Sequence, residues 1–319
     1  MIRLILSTLV LACAPLLAQA QTYPAHPIRV ISPFPPGGGT DFVARLLATK
    51  FDEVSNWKAI VDNKAGAGGT LGLTEAARAK PEGYDVVVGQ KDNLIIAPRL
   101  MPVTFDAVKS FTPIGMIGTT PIVILAAGDS PFKSFGDVIA AAKAEPGKLT
   151  FGTSGTGSVS HITSEMLRQQ AGITLAHVPY KGSGPALVDL MGGHVTLVGS
   201  SIASAMPYLQ SGRMRALAVS TGKRSPRLPD VPTIGELGFP SFDVTAWWGL
   251  LGPAGMPADV VARLNTELNR ILARAEVREA LIEQGIAAEA SSVKEFAAFV
   301  EKDFTTWKDI IESTGVRGN

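Results

Sequence analysis

The chain has 319 residues, and its 29 lysines and arginines against 28 aspartates and glutamates give a formal net charge of +1. A near-neutral chain without a basic run gives no electrostatic reason to expect nucleic acid or an anionic membrane surface as a partner. The single cysteine, Cys13, lies in the N-terminal leader described below. For the rest of the chain this excludes disulfides, thiolate metal ligands and a cysteine nucleophile.

Residues 1–20 have the pattern of a cleaved export signal. Arg3 precedes an apolar run over residues 4–17, and Ala18-Gln19-Ala20 offers small residues for cleavage. The apolar run is shorter than the roughly 18 residues that cross a bilayer as a helix. We therefore expect a periplasmic protein that starts near residue 21 and has no membrane anchor.

Short apolar segments alternate with helical patterns along the rest of the chain. The predicted strands cover residues 28–33, 59–61, 84–89, 122–127, 149–152, 215–220 and 248–251. The predicted helices cover residues 41–53, 72–79, 135–144, 159–170 and 185–191, with a helical tail beyond residue 259. This alternation predicts an α/β fold with parallel sheets and helices on both faces. The length suits two lobes, and without a low-complexity linker we expect the chain to cross between them on ordered strands.

Two segments share one physical design, in which a strand opens into a glycine-rich loop and a helix follows. The first loop contains Gly37-Gly38-Gly39, and the second runs over residues 153–158. Glycines let backbone N–H groups approach a ligand, and a helix start leaves unpaired donors and a partial positive charge. An anion fits there without lysine or arginine. Because ligands gather at the carboxyl ends of strands in open α/β sheets, we expect both loops to face one cleft.

Other interpretations of the polar residues remain open. Ser154 or Ser158 with His161 suggests an exported α/β serine hydrolase, although the sequence does not supply an orienting acid or the last glycine of G-x-S-x-G. A ligand sensor for a signalling partner needs the same cleft as a transport receptor. The histidines show no metal-ligand spacing, so we expect neither a metal nor a cofactor. Asp92 and Lys181 are candidates for contacting the end of the ligand that lies farthest from the anchored group.

Several stretches in chain order resemble the tripartite tricarboxylate transporter solute-binding receptors, also called the Bug family. They include Pro33-Phe34-Pro35-Pro36-Gly37-Gly38, Asp62-Asn63-Lys64, Gly152-Thr153-Ser154-Gly155, Pro179-Tyr180-Lys181-Gly182 and Trp248-Gly249-Leu250. The resemblance implies a two-lobed fold of the type II periplasmic-binding-protein class, with two mixed or parallel sheets and two crossovers. It places lobe 1 at residues 21–120 plus 245–319 and lobe 2 at residues 121–244.

The resemblance also implies a function, that of a receptor rather than an enzyme. Such a receptor closes around a small carboxylate and delivers it, as a monomer, to the permease of a tripartite tricarboxylate transporter. The implied ligand contacts are Phe34, Pro35, Gly38, Gly39, Thr40, Asp41, Ser154, Gly155, Thr156, Gly157, Ser158 and His161. The chain departs from the family pattern at Thr196, at Gly199-Ser200-Ser201 and at Lys91-Asp92.

Overall fold

The computed structural model describes residues 23–316, so the leader predicted at residues 1–20 lies outside the described residues. The described strands are β1 Ile28–Ser32, β2 Ala59–Asn63, β3 Asp85–Gln90, β4 Phe111–Ala127, β5 Thr150–Thr153, β6 Ala176–Pro179, β7 Leu197–Ser201, β8 Met214–Val219, β9 Thr245–Pro253 and β10 Ala287–Ala288. The described helices are α1 Gly39–Ser55, α2 Thr70–Arg78, α3 Ala97–Leu100, α4 Phe135–Ala144, α5 Val159–Ala171, α6 Ser183–Met191, α7 Ile202–Gln210, α8 Ala258–Leu272, α9 Ala275–Glu283 and α10 Val293–Thr314.

The first group of strands follows the order β2-β1-β3-β9-β4. β1 pairs in parallel with β2 and β3, whereas β9 runs antiparallel to both β3 and β4. Val86 and Val88 of β3 pack in the same cluster as residues of α1 and α8, while Val87 packs with residues of α2. Helices therefore cover both faces of this sheet, which is why its central strand is a continuous apolar run.

The second group follows the order β4-β7-β5-β6, and β8 also pairs with β4. β5 is parallel to β6 and to β7, whereas β4 is antiparallel to β7 and β8. The fold is two-lobed α/β, as expected from the sequence, with helices packed on a mixed sheet.

Strand β4 belongs to both groups. Its residues pair with β9 as far as Pro121, opposite Thr245, and Ile122 then pairs with Ser201 of β7. The lobe boundaries expected at residues 120 and 244 stay predictions, and the structure places them next to this change of pairing partner.

The strand predicted at residues 122–127 is only the last part of β4. The earlier part contains Pro113, Gly115 and Gly118, and the pairing register with β9 shifts beside these residues. Proline and glycine are unfavourable in regular strands and mark bulges. The sequence pattern therefore did not predict a strand over residues 111–121, which the pairing with β9 stabilises.

Two helix starts carry reciprocal side-chain caps. Ser134 with Asp137 and Ser292 with Glu295 form reciprocal capping boxes at the starts of α4 and α10. The helices between residues 23 and 316 do not combine the length and apolar composition that a bilayer crossing requires.

Replacement of Gly249 by alanine tests the packing of β9 against α10. An added Cβ would collide with the ring of Phe296, which is 1% exposed. We expect Gly249→Ala to lower the free energy of unfolding by about 1–3 kcal/mol, measured by chemical denaturation. The control is Gly136→Ala in α4, where the added Cβ meets only Ser134 Oγ at 3.5 Å. That variant should be unchanged or more stable, and equal stability of the two variants would contradict the packing described.

Candidate functional site

The first loop, residues 33–38, connects β1 to α1, and its last residue, Gly38, is the N-cap of α1. Gly38 has an extended backbone and provides no side-chain cap for α1. The first N–H groups of an α-helix have no partner within the helix. The start of α1 therefore presents backbone donors, together with the positive end of a seventeen-residue helix.

Asp41 holds this loop in place. Its carboxylate accepts hydrogen bonds from Gly37 N at 3.0 Å, Asn63 Nδ2 at 2.8 Å and Arg45 Nε at 2.9 Å. Burial alone would raise the pKa of Asp41, but the hydrogen bonds from Arg45, Gly37 and Asn63 outweigh it and keep that pKa below its ordinary value. Asp41 is therefore a buried, ionised brace of the loop.

Thr40 connects the start of α1 to two strands. Its hydroxyl donates to Gln90 Oε1 and accepts the indole N–H of Trp248 at 3.0 Å. Trp248 is 4% exposed, and this contact fixes its ring beside the first loop. The first turn of α1 is thus held by the ends of β3 and β9.

The second loop, residues 154–158, uses most of its amide groups internally. Ser154 N donates to Ser160 Oγ at 3.2 Å, Gly157 N to His161 Nδ1 at 3.2 Å, and Ser158 N to Gly155 O at 3.2 Å. The turn needs its glycines, because φ is +132° at Gly155 and +78° at Gly157. Thr156 lies between them on the same turn.

Ser158 and His161 support this loop and do not form a nucleophile–base pair. The Ser158 hydroxyl donates to Gly155 O at 2.7 Å and accepts from His161 N at 3.1 Å, as the N-cap of α5. The His161 ring stacks on His177 at 3.9 Å between centroids. Burial, followed by the charge of His177, lowers the pKa of His161 to about 4, so the ring is neutral at pH 7. The geometry does not favour the hydrolase interpretation.

Lys91 and Asp92 point in different directions. Lys91 is buried, lies 3.2 Å from Asp303 Oδ1 of α10, and stands over the Trp307 ring at 4.5 Å. The Asp92 carboxylate instead accepts a hydrogen bond from Val159 N, at the start of α5, at 3.1 Å. Residues 92–96 form a helical turn that continues into α3.

Burial raises the pKa of Asp92 to about 6, against the opposing effects of the Val159 amide and Lys91. This carboxyl group still carries a negative charge in most molecules at pH 7.

A cavity of about 200 Å³ lies where these segments meet. Eight of the predicted contacts line it: Phe34, Pro35, Gly38, Gly39, Thr40, Asp92, Ser154 and Lys181. Six others do not line it: Asp41, Gly155, Thr156, Gly157, Ser158 and His161. Of these six, Asp41, Gly155, Gly157, Ser158 and His161 make the supporting contacts described above. Both Trp247 and Trp248 border the cavity.

Five serines form one wall of the cavity: Ser154, Ser160, Ser200, Ser201 and Ser204. Ser200 is 1% exposed, and its hydroxyl has no hydrogen-bond partner among the described residues. Sequence reasoning predicted Ser154 as a contact and missed the other four serines. The available signal was Gly199-Ser200-Ser201, where polar residues end a buried strand and begin a helix.

The start of α1 lies against the start of α7. A Cβ added at Gly39 would be 3.4 Å from Ala203 Cβ and 3.8 Å from Ser201 Oγ, the N-cap hydroxyl of α7. The start of α1, which has no side-chain cap, and the start of α7, which Ser201 caps, therefore converge beside the Ser200 hydroxyl. A neutral cavity rich in hydrogen-bond donors suits a small anionic group.

A mixed α/β fold of two lobes with such a cavity at their junction defines the class of solute-binding proteins. The family model for the "tripartite tricarboxylate transporter family receptor" matches residues 43–316. The chain belongs to this family and is a solute-binding receptor, not an enzyme.

Three relatives illustrate the family. The chain is 33% identical to Protein BugT of Bordetella pertussis over 300 residues, 93% of this chain and 92% of BugT. It is similar to Rpa4515 of R. palustris with adipate, at a TM-score of 0.90 and 30% identity, covering 93% of this chain and all of that one. MatC of Rhodopseudomonas palustris with bound malate gives a TM-score of 0.84 and 32% identity, over 91% of this chain and all of MatC.

Replacement of Asp41 by asparagine tests the brace of the first loop. An amide cannot accept from all three donors, so we expect Asp41→Asn to lower the free energy of unfolding by about 1–3 kcal/mol at pH 7. Because the pKa of Asp41 is lower in the folded chain than in the unfolded chain, its contribution to the free energy of unfolding is complete above the unfolded pKa of about 4. The difference from the unaltered protein should shrink as pH falls through the folded pKa.

The control for this comparison is Asp52→Asn on the same helix. Asp52 pairs with Lys58 in an exposed contact at 2.7 Å, so its loss should cost less than about 1 kcal/mol. Equal effects of the two substitutions across the pH range would show that Asp41 is not the brace.

Proposed function

We propose that this chain is an exported periplasmic receptor that binds one small carboxylate in the cavity between its lobes and delivers it to a tripartite tricarboxylate transporter permease. The observation that carries this proposal is the convergence of the starts of α1 and α7 beside the buried, unpaired hydroxyl of Ser200. The adipate and malate of the two solved relatives support a carboxylate as the ligand class. The apolar run at residues 4–17 supports export.

The proposed carboxylate lies at the start of α1, among the backbone donors that follow Gly38. Hydroxyl groups of Ser200, Ser201 and Ser204, beside the start of α1, complete its hydrogen bonds. Ser154 of the second loop and Ser160 of α5 face the rest of the ligand with their side chains, since most amide groups of the loop bond within it. Uncharged donors that are already in place bind an anion without rearrangement.

Binding is proposed to proceed by closure of lobe 2, residues 121–244, on lobe 1, with the strands β4 and β9 as the connections. Serines from lobe 2 reach a ligand on the first loop only when the lobes are close, so the ligand binds the closed form more tightly. A ligand shifts a conformational equilibrium by the difference in its affinity for the two states. The closed receptor then docks on the permease as a monomer.

The ligand class is tested by a thermal-shift screen of the mature protein against small carboxylates and their amides. A ligand present at 100 times its dissociation constant adds about 2.7 kcal/mol to the stability of the folded state. We expect stabilisation by carboxylates and not by the matching amides. If amides stabilise the protein equally well, a carboxylate anchor is ruled out.

Ser200→Ala separates ligand binding from folding. The substitution removes a buried hydroxyl that has no partner, so the stability of the free protein should be unchanged or increased. Affinity for the carboxylate with the largest thermal shift should fall about tenfold or more, measured by calorimetry, because a hydrogen bond to a charged group is lost. The control is Ser32→Ala, which removes another buried and unpaired hydroxyl that does not line the cavity. Unaltered affinity in Ser200→Ala would overturn the proposed anchor.

Gly38→Val tests the other side of the anchor. The backbone at Gly38 is extended, and the nearest atom to an added Cβ is Pro35 O at 4.0 Å, so the fold should tolerate a side chain. The added methyl groups should obstruct the backbone donors at the start of α1. The affinity for every carboxylate should therefore fall about tenfold or more. Gly136→Val is the control at a glycine outside the cavity. An affinity equal to that of the unaltered protein would place the ligand elsewhere.

A further inference from the structure

The lining of the cavity contains one acidic and one basic side chain, Asp92 and Lys181. The other lining residues are chiefly glycines, prolines, serines and aromatic residues. Lys181 is exposed, whereas Asp92 is partly buried. Charges that are withdrawn from water interact more strongly than exposed ones, so at equal distance Asp92 acts on a bound ligand more strongly than Lys181 does.

Asp92 lines the cavity from the segment that follows β3, whereas the proposed carboxylate anchor lies at the start of α1. Gln90, two residues earlier, accepts the hydroxyl proton of Thr40 in the first turn of α1. Asp92 itself accepts from Val159 N at the start of α5. The segment from Gln90 to Asp92 therefore spans the distance between the first and second loops. A ligand anchored at α1 that extends toward the second loop approaches the Asp92 carboxylate.

The position of Asp92 also changes what the start of α5 can bind. This helix end is the second place at which an anionic group of a ligand would be expected, but the Val159 amide is already bonded to Asp92. A second ligand carboxylate there would face the Asp92 carboxylate in a poorly solvated space. Two carboxylates that share one site repel, and both cannot readily stay ionised.

We propose that Asp92 determines ligand specificity by selecting carboxylates that carry a protonated amine at their other end and by rejecting dicarboxylates of the same length. This inference rests on the carboxylate anchor proposed above. A carboxylate oxygen that already accepts one amide still has free lone pairs, and its second oxygen has its own. Asp92 can therefore accept from an ammonium group while it stays bonded to Val159.

The charge state of Asp92 also bears on the preference for an ammonium group. Burial raises the pKa of this group to about 6, and a nearby ammonium would favour its charged form. The charged groups near Asp92 are Lys91 on its own segment, which pairs with Asp303, and Lys181 on the segment that follows β6. Acidification below pH 6 should therefore weaken the preference for ammonium-bearing ligands.

The test is Asp92→Asn, studied with ω-amino carboxylates, dicarboxylates and simple monocarboxylates of matched chain length. The asparagine oxygen can still accept from Val159 N, so the local structure should persist. Calorimetry should show that the unaltered protein prefers the amino carboxylate to the dicarboxylate. In Asp92→Asn the amino carboxylate should lose about tenfold in affinity and the dicarboxylate should gain about tenfold. Monocarboxylates should change little.

The control is Asp189→Asn. Asp189 is a partly buried carboxylate that accepts the Tyr180 hydroxyl at 2.7 Å and does not line the cavity. Its replacement should leave the ratio of the two affinities unchanged. The inference would be overturned if the unaltered protein preferred dicarboxylates, or if Asp92→Asn kept the same ratio of amino carboxylate to dicarboxylate affinity. Binding of monocarboxylates in the same experiment would still support the anchor. Failure of every carboxylate to bind would overturn the anchor itself.

Discussion

The fold depends on strand β4, whose seventeen residues pair with β9 in one half of the molecule and with β7 and β8 in the other. The change of partner at Pro121 and Ile122 fixes where the cavity lies. Ile122 and Ala246, on the strands that pass this point, line it directly. Because both strands pass through the junction, the starts of helices from both halves reach a common space. A ligand-binding cavity follows from this pairing before any polar residue is considered.

The two glycine-rich loops look alike in sequence and play different roles in the structure. At the first loop, Asp41 binds Gly37 and Asn63, and the start of α1 presents its donors to the cavity. The second loop satisfies its own amides through Ser160, Gly155 and His161, because serine and neutral histidine side chains can accept from a nearby backbone. A similar pattern of glycines thus produces one helix start without a side-chain cap and one turn that bonds its own amides. The difference lies in the side chains after the glycines.

Local chemistry made much of the fold predictable. Period-two and period-3.6 patterns, together with the residues that start and stop helices, located most strands and helices and both loops. The remaining features rest on contacts between distant positions. The bond from Val159 to Asp92 joins residues 67 apart, and Thr40 meets Trp248 across 208 residues. A single sequence contains no record of such pairs, so the supporting role of Asp41 and the place of Ser200 and Ser201 in the cavity wall required three-dimensional positions.

In the proposed binding mode, the serine wall and the helix starts bind an anion without a formal charge. Long-range Coulomb attraction, which speeds the capture of ligands by charged clefts, is therefore weak in this receptor. Added salt screens exposed charges beyond a Debye length of about 8 Å, but it acts little on short hydrogen bonds from buried hydroxyl and amide groups. Ligand capture by this receptor should consequently proceed at an ordinary diffusive rate, and its affinity should vary little with the ionic strength of the surroundings.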